Sequence, residues 1–429
     1  MNRSKDKELV SGFWFYSFWL NQRPITRDQR PETINHKPET RDQKPSSCYA
    51  GIYIHIPFCV KKCPYCDFYS ITDHSLVKEF VNVLIHEMDM YRDVGLLFDT
   101  LYIGGGTPSV LESTEINRII EKAFSLFQIT SDPEITIEVN PRTVTPESLK
   151  SFRQSGINRI NIGIQSFQDG NLKFLGRIHS AEEGETAIKW ARNAGFTNIG
   201  LDLISGIPGQ TVKSWLSDLE TALQFEPEHL SCYMLTYESG TQMHKDLKSG
   251  KFSSLPESLA VSLFGSTGDF LEKKGYIHYE ISNFARSEEK KSRHNIKYWS
   301  YIPYIGFGPS AHSFYGTRRS WNRHNVSDYI KKIESGTPPV EGNETLTREQ
   351  QIIETIFLGL RQKCGIDIGF FNEKFNVKFG DIFRETISDL SKKELIVTCD
   401  DKCALTRKGM VLLDSICAEF VCSEILNSG

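Results

Sequence analysis

From residue 51 onward, short β-rich runs alternate with longer stretches in which apolar side chains recur every three or four positions. The runs are Ile52–Ile56, Thr100–Ile103, Ile135–Val139, Arg159–Ile164, Ile199–Leu203 and Leu230–Met234. This alternation is the pattern of parallel strands joined by helices. Six such units predict an α/β fold, a partial (β/α)6 barrel. Between the second and third runs, Ile116, Ile119, Ile120, Ala123, Phe124 and Phe127 share one face at helical spacing and predict core. Before the fourth run, Thr145 is placed to cap a helix whose first turn holds Pro146, and Gly156 is placed to end it. From about Thr345 the character changes. Helical patterns over Arg348–Arg361 and Asp381–Lys392 lead into two short runs, Leu395–Thr398 and Cys403–Thr406, around a turn at Asp400 and Asp401, with another helix from Arg407. Helices followed by a two-stranded ribbon predict a small winged-helix-like domain. It lacks a run of basic side chains, so docking or substrate covering is expected of it rather than nucleic-acid binding.

The first 48 residues differ in kind. They hold the quasi-repeats TRDQRP (Thr26 to Pro31) and TRDQKP (Thr40 to Pro45), with PET twice. A polar, proline-containing stretch of this sort predicts a disordered tail. Its nine basic and six acidic side chains within residues 1–50 make it positive, against a formal charge of -4 for the whole chain. The acids and prolines argue against an organelle-targeting peptide. The expected organisation is therefore a tail over 1–48, the barrel over 49–285, a connecting region over 286–344 and the C-terminal domain over 345–429.

With 50 Lys and Arg against 54 Asp and Glu, the balance disfavours a general polyanion binder, and no nucleic-acid partner is expected. The longest apolar stretch, Phe13 to Leu20, is far short of the roughly 20 residues that span a bilayer. A soluble, cytoplasmic protein is expected. Ten cysteines are too few for a disulfide scaffold in 429 residues, yet three crowd together at Cys59, Cys63 and Cys66. In a reducing compartment such crowding points to metal or redox chemistry.

The unusual residues sit at strand ends. The cysteines follow the first run; Gly104, Gly105, Gly106, Thr107 and Pro108 follow the second; Glu138 and Asn140, Gln165 and Asp202 close the next three. In a parallel barrel the C-terminal strand ends form the active face, so these sets converge. A C-x3-C-x2-C loop can hold three irons of a 4Fe-4S cluster and leave the fourth open to a ligand. A zinc site completed by His55 or Asp67 is the alternative. The glycines let backbone approach a ligand closely and offer N–H groups to an anion, or simply make a tight turn.

YIHIPFCVKKCPYCDF at Tyr53 to Phe68, with YIGGGTPS at Tyr102 to Ser109, resembles the radical S-adenosylmethionine superfamily, in particular its oxygen-independent coproporphyrinogen dehydrogenase and HemW branch. IEVNP (Ile137 to Pro141), GIQSF (Gly163 to Phe167), GRIHS (Gly176 to Ser180) and DLISGIPGQT (Asp202 to Thr211) extend the resemblance, which runs from about Gly51 to the C-terminus. It implies a radical S-adenosylmethionine barrel with Cys59, Cys63 and Cys66 on a 4Fe-4S cluster. It also implies S-adenosylmethionine bound by Tyr53, Tyr65, Gly105, Gly106, Thr107, Glu138, Gln165, Arg177 and Asp202. The bland readings are that the carboxylates cap helices and that Arg177 pairs with Glu182.

Within the branch, coproporphyrinogen dehydrogenases resemble C-x3-C-x2-C-x-C, and the position of the additional cysteine is Phe68 here. The segment His294, Asn295, Ile296, Lys297, Tyr298, Trp299 matches the HNxxYW pattern of the HemW group. Both features imply a heme chaperone, with heme as a further ligand and a heme acceptor protein as partner. The alternatives are oxidative decarboxylation of coproporphyrinogen III to protoporphyrinogen IX, or another radical enzyme of the superfamily. A reductant such as a flavodoxin or ferredoxin is implied as well, and a homodimer is left open. His294 is the candidate heme residue, because imidazole can ligate iron and aromatic rings can stack on a porphyrin. The other reading is a buried histidine packing a domain seam. His312 in GPSAHS, after Gly306 and Gly308, is a second candidate, with His324 and Cys232 behind it. Cys399, Cys403, Cys417 and Cys422 read as structural.

Overall fold

The computed structural model describes residues 49–399 and 401–421. The expected tail over 1–48, half of the turn at Asp400 and Asp401, and Cys422 lie outside these residues. Six strands form the parallel array: β1 (Ala50–Ile56), β2 (Leu97–Gly105), β3 (Gln128–Val139), β4 (Arg159–Gln165), β5 (Ile199–Ser205) and β6 (His229–Met234). They pair in sequence order. The strands run longer than their apolar cores predict, because ladder hydrogen bonds continue through polar ends such as Gln128 to Glu134.

Helices cover the outside of the array. In Pro146–Gln154, Thr145 accepts from the Ser148 N–H at 3.2 Å, and the Ser148 hydroxyl oxygen in turn accepts from the Thr145 N–H at 2.9 Å. Gly156, at φ +95°, ends that turn in a conformation that favours glycine. In Ser113–Leu126, Ile116, Ile119, Ile120 and Ala123 are buried, and Phe127 is buried just beyond the helix. Phe124 corrects the sequence expectation, being 44% exposed. At 100° per residue it stands about 90° off the centre of the buried face, beyond the arc that the sheet covers.

Beyond the sixth strand, β8 (Asn283–Ala285) joins antiparallel to β6 and carries β7 (Ile277–His278). On the other side, β9 (Tyr304–Phe307) runs parallel to β1, and β10 (His312–Tyr315), β11 (Arg318–Asn322) and β12 (Val340–Thr345) continue antiparallel. The region read from sequence as a connection therefore supplies four strands of a 12-stranded sheet. Its strands are short and mixed in polarity, so periodicity does not announce them. Glu87, from helix Val77–Met90, ties this extension to the barrel by accepting from the Gly308 N–H (2.8 Å), the Tyr329 hydroxyl (2.6 Å) and the Asn322 amide (2.6 Å).

The C-terminal region has its own core, built on Phe371, Phe375, Phe379, Phe383 and Phe420. Helix Arg348–Arg361 forms as its pattern predicts. The predicted helix Asp381–Lys392 instead breaks at Phe383 into Phe379–Ile382 and Arg384–Lys392, since Phe383 turns into the aromatic core. The ribbon is β14 (Ile396–Cys399) against β15 (Lys402–Leu405), with β13 (Ile366–Asp367) on the outer edge of β15. Among the described residues no helix is long and apolar enough to cross a membrane.

Candidate functional site

Register decides what meets at the open end of the barrel. Because β1 and β2 pair with Ile56 opposite Gly105, the cysteine loop leaves beside the glycine turn. The Gly106 N–H donates to Ile56 O (2.7 Å) and the Thr107 N–H to Phe58 O (2.8 Å). A Cβ on Gly106 would stand 2.8 Å from Phe58 O and 2.9 Å from Ile56 O, so only glycine allows this approach. The loop is braced further by Cys59 N–H to Ile71 O (2.9 Å) and Lys62 Nζ to Phe68 O (3.0 Å).

Cys59 is buried, while Cys63 and Cys66 are half-buried. Cys59 Sγ meets Thr107 Oγ1 at 3.4 Å, and Arg177 Nη1 donates to Cys63 Sγ at 3.7 Å. Burial pushes the Cys59 thiol up, and burial together with neighbouring Cys63 pushes Cys66 up to about 12. Burial works against the Arg177 charge, but Tyr65 and Cys63 outweigh it and raise its pKa. Arg177 also donates to Gly163 O at 2.6 Å, so its partners here are the cysteine loop and β4 rather than Glu182. Among the described residues no three His, Cys, Asp or Glu side chains stand ready as a metal-ligand group.

A cavity of about 270 Å³ opens above these loops. Of the sequence candidates, Tyr65, Cys66, Gly105, Gly106, Thr107, Glu138, Gln165, Arg177 and Asp202 line it. The Tyr102 hydroxyl donates to Glu138 Oε1 at 2.6 Å and the Gly105 N–H to Oε2 at 3.3 Å. Burial nevertheless lifts the Glu138 carboxyl to about 7, with Asp202 adding to the rise. Asp202 accepts from the Asn161 amide at 2.6 Å and is raised by burial too. Gln165 holds a left-handed backbone at φ +69°, a strained state for a non-glycine residue that its surroundings must hold in place. Asp218 supports it from helix Val212–Leu223, accepting from the Ser166 hydroxyl (2.7 Å) and the Phe167 N–H (3.0 Å).

Tyr53, His294 and His312 do not line the cavity, and among the described residues no histidine does. Tyr53 lies one layer down, its hydroxyl 3.1 Å from His55 Nδ1. His294 is buried between Thr100 and Tyr298. His312 sits on β10, its ring 6.1 Å from that of Trp321.

Several further residues line the cavity. Asn161 follows from the period-two pattern of β4, whose Asn161, Gly163 and Gln165 all reach the cavity. Arg361 and Leu413 arrive from the C-terminal region and Ile281 and Ser282 from the stretch before β8, with no local signal. Arg361 Nε pairs with Glu280 Oε2 at 3.0 Å, and its guanidinium lies 4.6 Å from the Trp299 ring centre.

Six parallel strands with three cysteines on the first strand-to-helix loop and a glycine cradle on the second define a radical S-adenosylmethionine protein. The model of the radical SAM superfamily matches residues 53–222, and that of the HemN C-terminal domain matches 346–412. The chain is 35% identical to the heme chaperone HemW of Bacillus subtilis (strain 168), over 86% of this chain and 98% of that one. It is 33% identical to the heme chaperone HemW of Lactococcus lactis subsp. lactis (strain IL1403), over 87% and 97%. Among solved structures, coproporphyrinogen III oxidase (HemN) from Escherichia coli shares the fold with a TM-score of 0.76, covering 87% of this chain and 90% of that one at 24% identity. The chain belongs to the HemW family.

Proposed function

We propose that the protein is a cytoplasmic heme chaperone that binds heme and passes it to an acceptor protein, carrying a 4Fe-4S cluster and S-adenosylmethionine in its barrel. The observation that carries this reading is its match to HemW chaperones along nearly their whole length. Phe68 supports it, because this ring lines the cavity where coproporphyrinogen dehydrogenases resemble one another in an additional cysteine.

The donor chemistry present fits both groups, although the three thiols are not drawn together in this structure. Cys59, Cys63 and Cys66 offer three sulfur ligands on one short loop, the donor set of a cluster with one open iron. Gln165 Oε1, Asp202 Oδ1, Asn161 Oδ1 and Arg177 Nε are buried without hydrogen-bond partners, an unmet demand that a polar ligand would satisfy. In this reading Glu138 accepts from the methionyl ammonium, Arg177 pairs with a carboxylate, and Asp202 or Gln165 bonds ribose hydroxyls. Gly105 and Gly106 line the cavity, and their missing side chains let this turn sit against His55 and the cysteine loop. When bound to a reduced cluster, S-adenosylmethionine supplies one-electron cleavage chemistry, and a flavodoxin or ferredoxin would supply the electron.

The test is anaerobic reconstitution followed by heme titration, with a parallel assay for protoporphyrinogen IX formed from coproporphyrinogen III. Saturable one-to-one heme binding without conversion is expected. Conversion of coproporphyrinogen, or no heme binding in a cluster-loaded protein, would overturn the reading.

A further inference from the structure

The HNxxYW segment forms helix Arg293–Trp299, which lies across the N-terminal ends of the strands, opposite the cavity mouth. The N–H groups of Arg293 and His294 donate to Glu134 at the start of the buried part of β3 (3.1 and 3.0 Å). Lys297 pairs with Asp99 of β2 at 2.5 Å and donates to Tyr49 O at 2.6 Å. So anchored, the helix sends the His294 ring up into the barrel, where it is 1% exposed. Its Nδ1 meets Thr100 Oγ1 at 2.8 Å and its Nε2 meets the Tyr298 hydroxyl at 2.9 Å. A Cβ on Gly51 would come within 3.1 Å of the ring, so the barrel wall is cut back to seat it.

The ring has a second set of neighbours. It stacks on Tyr102 with centres 5.0 Å apart and planes at 25°, and more loosely on Tyr53 at 6.4 Å. Tyr102 is the residue whose hydroxyl reaches Glu138 at 2.6 Å. A line of contacts therefore runs from the HNxxYW helix through the Tyr102 ring to the carboxylate on the cavity wall. A histidine with both nitrogens engaged and no exposed edge would have to break a hydrogen bond and open the barrel to reach an iron.

We propose that His294 is a positioning residue for Glu138, acting through Tyr102, and that it is not the heme ligand. The inference rests on the S-adenosylmethionine site proposed above. Burial opposes the charge on Glu138, and the Tyr102 hydrogen bond favours it. The groups facing this carboxylate are Tyr102 and Gly105 from β2 and Asp202 from β5. Removing the ring beneath Tyr102 lets the phenol drop away, so Glu138 keeps its proton to higher pH and meets an ammonium less well.

Equilibrium dialysis of S-adenosylmethionine against cluster-loaded protein across pH tests this in H294A, H294F, Y102F and H294A/Y102F, beside heme titrations. H294A is expected to weaken binding about tenfold and to move the pH midpoint of binding upward, as loss of one charge-assisted hydrogen bond would. Y102F should do the same, the double variant no worse than either single one, and H294F, which keeps a ring to stack, should recover most of the affinity. Heme binding should be unchanged throughout. Loss of heme binding in H294F with S-adenosylmethionine affinity intact would overturn the proposal. So would effects of H294A and Y102F that add in full, the mark of general loosening. Failure of the wild type to bind S-adenosylmethionine would sink the site reading itself, and this inference with it.

Discussion

Replacing Arg361 by Met probes how the C-terminal region is held over the cavity. Arg361 ends helix Arg348–Arg361, pairs with Glu280 at 3.0 Å and covers Trp299. Glu280 is 0% exposed, and its other oxygen already accepts from the Ser282 N–H (2.8 Å) and the Asn283 amide (2.5 Å). The chain segments join here too, the Lys363 N–H donating to Tyr279 O at 3.0 Å. In R361M the Glu280 carboxylate stays buried without its cation, which costs about 3–5 kcal/mol, whereas the volume of the side chain is largely kept. For a unit the size of this region, each kcal/mol moves the melting midpoint by roughly 4–8 °C, so its transition should fall by about 12 °C or more. Thermal unfolding by circular dichroism, with limited proteolysis of the C-terminal region, reads this out. The double variant E280Q/R361M should recover most of the loss, because a neutral pair of similar volume carries no buried charge. A fall of less than about 3 °C in R361M, or a double variant no better than the single one, would refute the reasoning.

Three further outcomes are expected. D218N should cost about 1–2 kcal/mol in urea unfolding and weaken S-adenosylmethionine binding roughly threefold to tenfold, since Gln165 loses the support for its left-handed backbone; equal affinity in the two proteins would make Asp218 purely structural. Burial lifts the Glu87 carboxyl from 4.5 to about 7, so its protonated form favours the fold at low pH and that stabilisation is lost as pH rises through about 7. The unfolding free energy from urea titrations should fall by roughly 2.5 kcal/mol between about pH 5 and about pH 8 from this group, and E87Q should flatten that part of the slope. An unchanged slope in E87Q would count against the assignment. C59A/C63A/C66A should bring iron content after anaerobic reconstitution from about four per chain to near zero and remove the brown colour; retained iron would reject the loop as the cluster site.

The six strands, the Thr145 cap and helix Arg348–Arg361 were legible because each is a local matter: apolar runs, a capping residue and one amphipathic period lie within a few residues of one another. The cysteine and glycine loops were legible for the same reason. Their convergence also followed from sequence, since strand ends of a parallel array must share one face. Phe124 shows where this reasoning stops, for the width of a buried helix face depends on what covers it.

What stayed hidden is what depends on distant partners. Strands β9 to β12 have little pattern of their own, and they form because β1 offers a free edge and Glu87 a buried acceptor for Gly308 and Asn322. Arg361 and Leu413 reach the cavity from 295 and 347 residues beyond Cys66, so no spacing predicts them. His294 is the clearest division between the two levels. From the sequence alone it is known that a histidine, a tyrosine and a tryptophan share six consecutive residues. Folding makes them one short helix and turns the histidine toward Thr100 and Tyr102 inside the barrel and the tryptophan toward Arg361, because the fates of side chains on one helix are set by the surfaces against which that helix packs.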